Sequence, residues 1–280
     1  MQVYHLQKQQ YKTLLIGDPR PLAEFAMILE KNKFPFTILS PTALNSFGDV
    51  EVFELPKNLL KYSQQIVDSY EEASSQGVDV IVDVSATFAG DKSEMLDELV
   101  QFYPGALVLT STLMCTATEI SALLSEPRSV IGFNGTPALM STMTSMEIAP
   151  SLRSSEAEVD LAKKYFSALG YTPELVEDRV ALVMPRVLAT LINEAAFAVM
   201  EKVASPEDID TAMKLGTNYP IGLLRWADEI GIEIICSILE ALYLEYRQER
   251  YRTCVLLKQY LRAGWVGVQA GRGFYTYPSL

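Results

Sequence analysis

The sequence is poor in the residues on which most acid–base and metal chemistry depends. Its one histidine, His5, lies in the polar N-terminal stretch MQVYHLQKQQYK. We expect this histidine to be solvated, so a Ser-His-Asp or Cys-His catalytic set cannot be assembled. The three cysteines, Cys115, Cys236 and Cys254, are too few and too scattered for a disulfide framework or a metal site. They are expected to be reduced core residues.

Positive charge and long apolar runs are also scarce. Lys and Arg total 23 against 35 Asp and Glu, and the net charge of −12 argues against nucleic acid as a partner. No apolar run reaches the length of about 20 residues that crosses a bilayer. The N-terminus has no apolar signal core. We therefore expect a soluble, cytoplasmic protein with neither a nucleic-acid partner nor a membrane segment.

Short apolar strands alternate with helical segments in the first half of the chain. The apolar fraction of 49% is ample for a core. This alternation, repeated through Phe133, indicates an α/β fold with a doubly wound parallel sheet. The predicted strands are Thr13–Ile16, Phe36–Leu39, Val50–Leu55, Val78–Val84, Ala106–Leu109 and Val130–Phe133, and the predicted helices include Leu22–Lys31, Asn58–Ala73 and Lys92–Tyr103.

The second half of the chain is helical in pattern. An apolar face repeats at helical spacing through Leu188, Leu191, Ile192, Ala195 and Val199. Ser205 then caps a further helix whose first residue is Pro206, and Gly216, Asn218 and Pro220 end it. On this pattern alone, the segment could be a helical core without any site.

The order of the segments in this half carries more information. NEA, ASPEDIDTAMKLG, NYPIG, ADEIGIE, RYRTCVLLKQYLRAGWVG and GRGFYTYP follow one another between Asn193 and Pro278. This series closely resembles the C-terminal domain of 3-hydroxyacyl-CoA dehydrogenases, in particular the 3-hydroxybutyryl-CoA branch. The resemblance implies a Rossmann-like domain at residues 1–180 and an all-α domain at residues 181–280, which would form a homodimer through the helices between Arg186 and Tyr260. It also implies NAD-dependent oxidation of 3-hydroxyacyl-CoA to 3-oxoacyl-CoA in the cleft between the domains.

The turn after the first strand departs from the family pattern. The resemblance implies G-x-G-x-x-G, which brings backbone N–H groups to the NAD pyrophosphate. The chain instead has Gly17-Asp18-Pro19-Arg20-Pro21-Leu22, in which the prolines have no N–H and Asp18 adds negative charge. No acid for the ribose ends the second strand, where Ser40 stands. The candidate cofactor-binding residues are therefore Gly17, Arg20, Ser40 and Ser85. We expect weak or no NAD binding, unless Arg20 replaces the lost amides.

The family's catalytic positions are also altered. The resemblance implies a histidine–glutamate pair, and Glu147 falls on the glutamate. The histidine falls on Asn134 or on Gly135, depending on the direction of counting, and neither can act as a base. The position of the family's serine is Leu113, beside Ser111 and Thr112, and that of its asparagine is Pro185, beside Arg186. Ser111, Thr112 and Arg186 stay candidate substrate contacts, although local backbone capping is the simpler role for the two hydroxyls.

Two functional hypotheses therefore stay open. The chain is an NAD-dependent 3-hydroxyacyl-CoA dehydrogenase, or it is a non-catalytic descendant that binds an acyl-CoA thioester or a protein partner. The family's contacts to CoA cannot be transferred, because no motif aligns between residues 43 and 77. Glu147 would be buried without its histidine, so it either donates a proton to a ligand carbonyl or has a structural partner such as Arg186 or a backbone amide. We favour the structural partner.

Overall fold

The computed structural model describes residues 11–39, 57–74 and 77–278. Three features named above lie outside these residues: His5, Ser40 and the predicted strand Val50–Leu55.

An eight-stranded sheet forms the first part of the described chain. Its strand order is β3-β2-β1-β4-β5-β6-β7-β8, and neighbouring strands are parallel except for the antiparallel pair of β6 and β7. The predicted doubly wound α/β fold is thereby confirmed, with the last two strands, β7 and β8, running opposite to the other six. The strands are β1 Thr13–Ile16, β2 Phe36–Leu39, β3 Ile66–Val67, β4 Val80–Asp83, β5 Leu107–Ser111, β6 Ile131–Phe133, β7 Ser145–Pro150 and β8 Thr172–Leu175.

The helices that alternate with the strands cover both faces of the sheet, and the helices after β8 form a separate layer. They are α1 Pro19–Lys31, α2 Lys57–Leu60, α3 Tyr70–Ser74, α4 Ala89–Phe102, α5 Ala117–Leu123, α6 Glu156–Ala168, α7 Met184–Met200, α8 Pro206–Thr217, α9 Leu223–Ile230, α10 Ile232–Tyr246 and α11 Val255–Arg262. We call α7 to α11 the helical part and everything before α7 the sheet part.

The central strands are mostly apolar because both faces of the sheet are buried, and their polar side chains, such as Thr13, Asp83 and Thr110, are buried as well. Successive side chains of a strand point to opposite faces. Leu15 accordingly belongs to one core cluster, whereas Leu14 and Ile16 belong to another on the opposite face. In the helical part, Ser205 caps α8 as predicted, by accepting from the backbone N–H of Asp208, and Asn218 ends the helix in the left-handed conformation.

Three helix predictions in the sheet part require correction. One of them is Lys92–Tyr103, since α4 begins three residues earlier, at Ala89, and ends at Phe102. The predicted single helix Asn58–Ala73 is wrong, since the short helices α2 and α3 flank the strand β3. The backbone N–H of Ile38 bonds the carbonyl of Gln65 at 2.8 Å, so sheet pairing pulls this segment into extended structure. Helix α1 begins at Pro19, three residues before the predicted start at Leu22, because proline at the first helical position is compatible with a helix.

Candidate functional site

The geometry of the candidate site centres on Glu147. Glu147 lies on β7, and Asn134 directly follows the neighbouring strand β6. The backbone N–H of Met184 donates to Glu147 Oε1 at 2.8 Å, and that of Val183 donates to Oε2 at 3.4 Å. Asn134 Nδ2 lies 3.5 Å from the same Oε2. The carboxylate thus joins the sheet to the first turn of α7, which supplies N–H groups and the positive end of the helix dipole.

Burial and hydrogen bonding act on this carboxylate in opposite directions. Burial raises the pKa of Glu147 above its usual value, and the hydrogen bonds from Met184, Val183 and Asn134 partly offset the increase. Arg186 is not the partner, because its guanidinium donates to the carbonyl of Val180 at 2.9 Å and to the Tyr246 hydroxyl at 2.8 Å. The sequence suggested Arg186 or a backbone amide as the structural partner of Glu147. In the structure, the partner is the backbone amide.

Asn134 is held in one orientation. Its Oδ1 accepts from the backbone N–H of Thr136 at 3.2 Å and from the Thr136 hydroxyl at 2.6 Å. This leaves Nδ2 directed towards Glu147 and the Met143 sulfur, 3.8 Å away. Gly135 has no side chain to make such a contact, and a Cβ atom there would lie 2.5 Å from Ser111 Oγ. Asn134 is therefore the residue that faces Glu147, and its amide has no proton-accepting nitrogen.

The hydroxyls proposed as substrate contacts lie inside the protein. Ser111 and Thr112 are fully buried, and neither hydroxyl has a hydrogen-bond partner among the described residues. The capping role that seemed simplest from the sequence is therefore not observed. Leu113, at the family's serine position, is also buried and packs with the core of the helical part. A hydrocarbon side chain thus occupies the place of the expected hydroxyl donor.

The residues of the turn after β1 form contacts and hydrogen bonds with other parts of the protein. A Cβ atom on Gly17 would lie 2.6 Å from the backbone nitrogen of Ser85, so the turn and the end of β4 are in close contact. The Asp18 carboxylate accepts from the backbone N–H of Ala86 at 2.7 Å. The Arg20 guanidinium donates to the carbonyls of Ile230, at 3.0 Å, and Glu229, at the end of α9.

These contacts decide whether the turn fits a dinucleotide pyrophosphate. Pro19 and Pro21 have no N–H to donate at the start of α1. Arg20, the candidate replacement, is already bonded to backbone carbonyls of the helical part. Asp18 would bring its negative charge towards a polyanion. The residues of the turn therefore do not fit the pyrophosphate of NAD.

Ser85 belongs to a buried polar cluster that sequence reasoning missed. Lys92 Nζ lies 2.5 Å from Asp83 Oδ2, and both side chains are fully inaccessible to solvent. Lys92 also donates to the backbone carbonyl and hydroxyl of Ser85, at 2.7 and 2.9 Å. The Ser85 and Thr110 hydroxyls donate to Asp83 at 2.6 and 2.5 Å. The cluster lies at the carboxyl ends of β4 and β5, where α/β folds bind ligands. Its polar groups, however, form their hydrogen bonds with one another.

An apolar cavity of about 570 Å³ is lined in part by Met143, Val183 and Met184, which contact the Glu147–Asn134 pair. Three separate stretches of chain line it: residues 138–143, 183–191 and 219–229. Because these pieces are far apart in sequence, no local pattern could have indicated the cavity. Among the described residues, the structure has no cluster of three or more His, Cys, Asp or Glu side chains able to hold a metal ion. None of the helices in these ranges is both long enough and apolar enough to cross a membrane.

Comparison with known proteins gives consistent results. A family model for the C-terminal domain of 3-hydroxyacyl-CoA dehydrogenase matches residues 182–277. The chain is 38% identical over 216 residues to a probable 3-hydroxybutyryl-CoA dehydrogenase of Bacillus subtilis, covering 76% of this chain and 73% of the relative. It is 32% identical over 203 residues to the 3-hydroxybutyryl-CoA dehydrogenase of Bradyrhizobium diazoefficiens, covering 71% and 68%. The crystal structure of M. tuberculosis FadB2 matches 96% of this chain and 99% of its own with a TM-score of 0.83, and at 20% identity it shows the shared fold.

Proposed function

We propose a function for this chain from one established premise: it belongs to the 3-hydroxyacyl-CoA dehydrogenase family. We propose that it binds an acyl-CoA thioester in the cleft between a domain of residues 1–180 and a domain of residues 181–280. We propose further that it does not carry out the family's NAD-dependent oxidation at an appreciable rate. The observation that carries the proposal is the pairing of Glu147 with the amides of α7 and with Asn134, where a base is required.

The chemical argument concerns proton transfer. Oxidation of a 3-hydroxy group requires a base for the hydroxyl proton, and a positioned base contributes about 10² to 10⁴ in rate. Asn134 cannot accept that proton near neutral pH, and Leu113 supplies no hydroxyl to position the substrate. The turn at Asp18 to Pro21 adds a second obstacle, since it does not fit the cofactor's pyrophosphate.

The alternative is an active dehydrogenase. It is favoured by the 38% identity to the Bacillus subtilis relative and by Glu147, which stands on β7 at the family's glutamate position. In that case another group would have to replace the histidine, and the turn at Gly17 would have to open to admit NAD. Location in the cytoplasm stays a prediction under either function.

We expect NADH titration and an NADH-coupled assay with acetoacetyl-CoA to distinguish these functions. Calorimetry should show weak or no NADH binding, because Pro19 and Pro21 have no N–H to donate and Asp18 adds negative charge to the turn. Turnover should be at least about 10²-fold below that of the Bacillus subtilis relative measured in parallel, since the base is missing. NADH binding in the low micromolar range, together with turnover close to that of the relative, would establish the dehydrogenase instead. An Arg20→Ala variant then shows whether Arg20 holds the phosphate.

A homodimer through the helical part is the second expectation. Exposed apolar side chains there include Leu215, 83% accessible on α8, and Leu244 on α10. Light scattering at micromolar concentration should return twice the chain mass of 31.1 kDa. We expect Leu215→Glu to weaken the dimer and Leu152→Glu, at a 90% accessible position of the sheet part, to leave it intact. A wild-type monomer would rule the proposal out, and a dimer unaffected by Leu215→Glu would place the interface on another face.

A further inference from the structure

Glu24 connects helix α1 to the turn of residues 137–143, which we call the wall turn. Its carboxylate accepts from the backbone N–H of Ala138 at 2.7 Å, from the backbone N–H of Ser141 at 2.8 Å and from the Ser141 hydroxyl at 2.9 Å. Hydrogen bonds to an ionised carboxylate are among the stronger ones in proteins. One side chain of α1 therefore holds the wall turn at two points along its backbone.

The backbone of the wall turn is strained where Glu24 binds it. Ala138 has a φ of 66°, in the left-handed region that is unfavourable for a residue with a Cβ atom. A second side chain, Tyr171, donates its hydroxyl to the carbonyl of Met140 at 2.7 Å. Such a backbone conformation persists where the surrounding structure fixes it. The wall turn is thus held by side chains from α1 and from the segment before β8.

The wall turn forms part of the apolar cavity and reaches the Glu147–Asn134 pair. Four of its residues line the cavity: Ala138, Leu139, Thr142 and Met143. Met143 Sδ lies 3.8 Å from Asn134 Nδ2. Glu24 and Ser141 lie outside the lining. The hydrogen bonds of Glu24 would therefore affect a ligand in the cavity through the wall turn and not by direct contact.

We infer that Glu24 is a positioning residue: by fixing the wall turn, it keeps one wall of the cavity, and the contact of Met143 with Asn134, in the arrangement that binds the acyl end of the ligand. A wall that is already ordered does not have to be ordered when the ligand binds, which preserves affinity. The inference rests on the proposed function in that the ligand is an acyl-CoA thioester.

The test is calorimetric titration of the full chain with acetoacetyl-CoA and with CoA. Glu24→Ala leaves the donors of Ala138 and Ser141 without their acceptor, so it should weaken acetoacetyl-CoA binding about tenfold. Binding of CoA should be unchanged, because CoA has no acyl group to meet the wall. A general loss of structure would weaken binding of both ligands, so the ratio of the two affinities reports the positioning role.

Glu30→Ala is the matched control on the same helix. The Glu30 carboxylate accepts from the Tyr62 hydroxyl at 2.8 Å and from Lys61 Nζ at 3.2 Å, and none of these residues lines the cavity. This variant should bind both ligands as the wild type does.

A double-mutant cycle with Ser141→Ala shows whether the effect passes through the wall turn. Ser141→Ala removes one donor to Glu24 and is expected to weaken acetoacetyl-CoA binding about threefold in the wild type. It should cause no further loss in Glu24→Ala, where the acceptor is already absent. Additive losses would show that Glu24 acts by another route, and they would overturn the inference.

The remaining outcomes separate this inference from the proposed function. Unchanged acetoacetyl-CoA affinity in Glu24→Ala, or an equal loss for acetoacetyl-CoA and CoA, overturns the positioning role and leaves the proposed function intact. If neither ligand binds the wild type, the proposed function fails, and hydrogen–deuterium exchange of residues 137–143 then tests Glu24 alone. Exchange at least about tenfold faster in Glu24→Ala, and unchanged in Glu30→Ala, would support the inference, whereas equal protection in all three proteins would overturn it.

Discussion

Replacement of Lys92 by methionine is expected to lower the free energy of unfolding by about 3–5 kcal/mol, measured by urea denaturation at neutral pH. The reason is that the Asp83 carboxylate would lose its charged partner. Asp83 is fully buried, and Lys92 Nζ, 2.5 Å away, is its charged partner. Without the ammonium group, the structure would have to hold an uncompensated charge away from water, and desolvation of such a charge costs several kcal/mol.

The double variant Lys92→Met with Asp83→Asn separates loss of charge balance from loss of packing. It removes both charges and leaves an amide oxygen that can still accept from the Ser85 hydroxyl, while the amide NH₂ group can donate to the Thr110 hydroxyl. We therefore expect it to be more stable than Lys92→Met alone. The surface control is Lys61→Met, which breaks the 3.2 Å pair of Lys61 with Glu30, whose side chains are 50% and 58% accessible. Its effect should be within about 1 kcal/mol. An equal effect of Lys61→Met and Lys92→Met would contradict the argument.

This cluster also bears on function. Strand ends of an α/β sheet are the usual place for ligand-binding side chains. Here Asp83, Ser85 and Thr110 stand at those ends, and their polar atoms are bonded to each other and to Lys92. A ligand at this edge would have to break hydrogen bonds of a fully buried ion pair. The arrangement is consistent with the proposal that NAD binds weakly or not at all.

The sequence indicated the central strands because they are buried on both faces and therefore mostly apolar. Thr13–Ile16 and Phe36–Leu39 have the predicted bounds for this reason. The outer strand β8 was not predicted, since its residues Thr172–Leu175 are largely exposed and carry no apolar pattern. The sequence pattern predicts helix where β3 lies, because pairing with β2 rather than local preference decides the conformation of this strand.

The place of Glu147 on a strand could be predicted, but its contacts could not. Counting along the chain placed Glu147 on a strand facing the cleft, and the register with β6 brings Asn134 to it. The amides that accompany Glu147 come from the start of α7, which no pattern around Glu147 could reveal. Lys92 was missed because a lysine on an amphipathic helix usually lies at the surface, and only the tertiary structure places it against Asp83.

Glu147→Gln is expected to change stability in a pH-dependent way and to leave any residual dehydrogenase activity unchanged. A glutamine oxygen can accept from Met184, but the amide NH₂ group would then face the N–H of Val183. Unsatisfied or opposed buried hydrogen-bonding groups cost about 1–3 kcal/mol, so the variant should be less stable at low pH. Urea denaturation of both proteins between about pH 4 and about pH 8 measures the difference.

The sign of the pH dependence follows from the direction of the pKa shift. Burial raises the pKa of Glu147 in the folded state, so the folded protein keeps this proton at pH values where the unfolded chain has lost it. The stability contributed by the protonated group is fully present below the ordinary carboxyl pKa and is lost as pH rises through the folded pKa. Glutamine does not titrate, so the deficit of the variant should shrink as pH rises through this window.

Glu174→Gln is the matched control for this experiment. Glu174 is the exposed residue of β8 paired in register with Glu147, and its variant should change the free energy of unfolding by less than about 0.5 kcal/mol at every pH. A constant difference between wild type and Glu147→Gln would show that the carboxylate titrates as it does in the unfolded chain. If wild type turns over acetoacetyl-CoA and Glu147→Gln abolishes that turnover while the melting temperature holds, Glu147 is a catalytic residue. The proposal of a non-catalytic family member would then be wrong, because Glu147 would be acting on the substrate as well as on the start of α7.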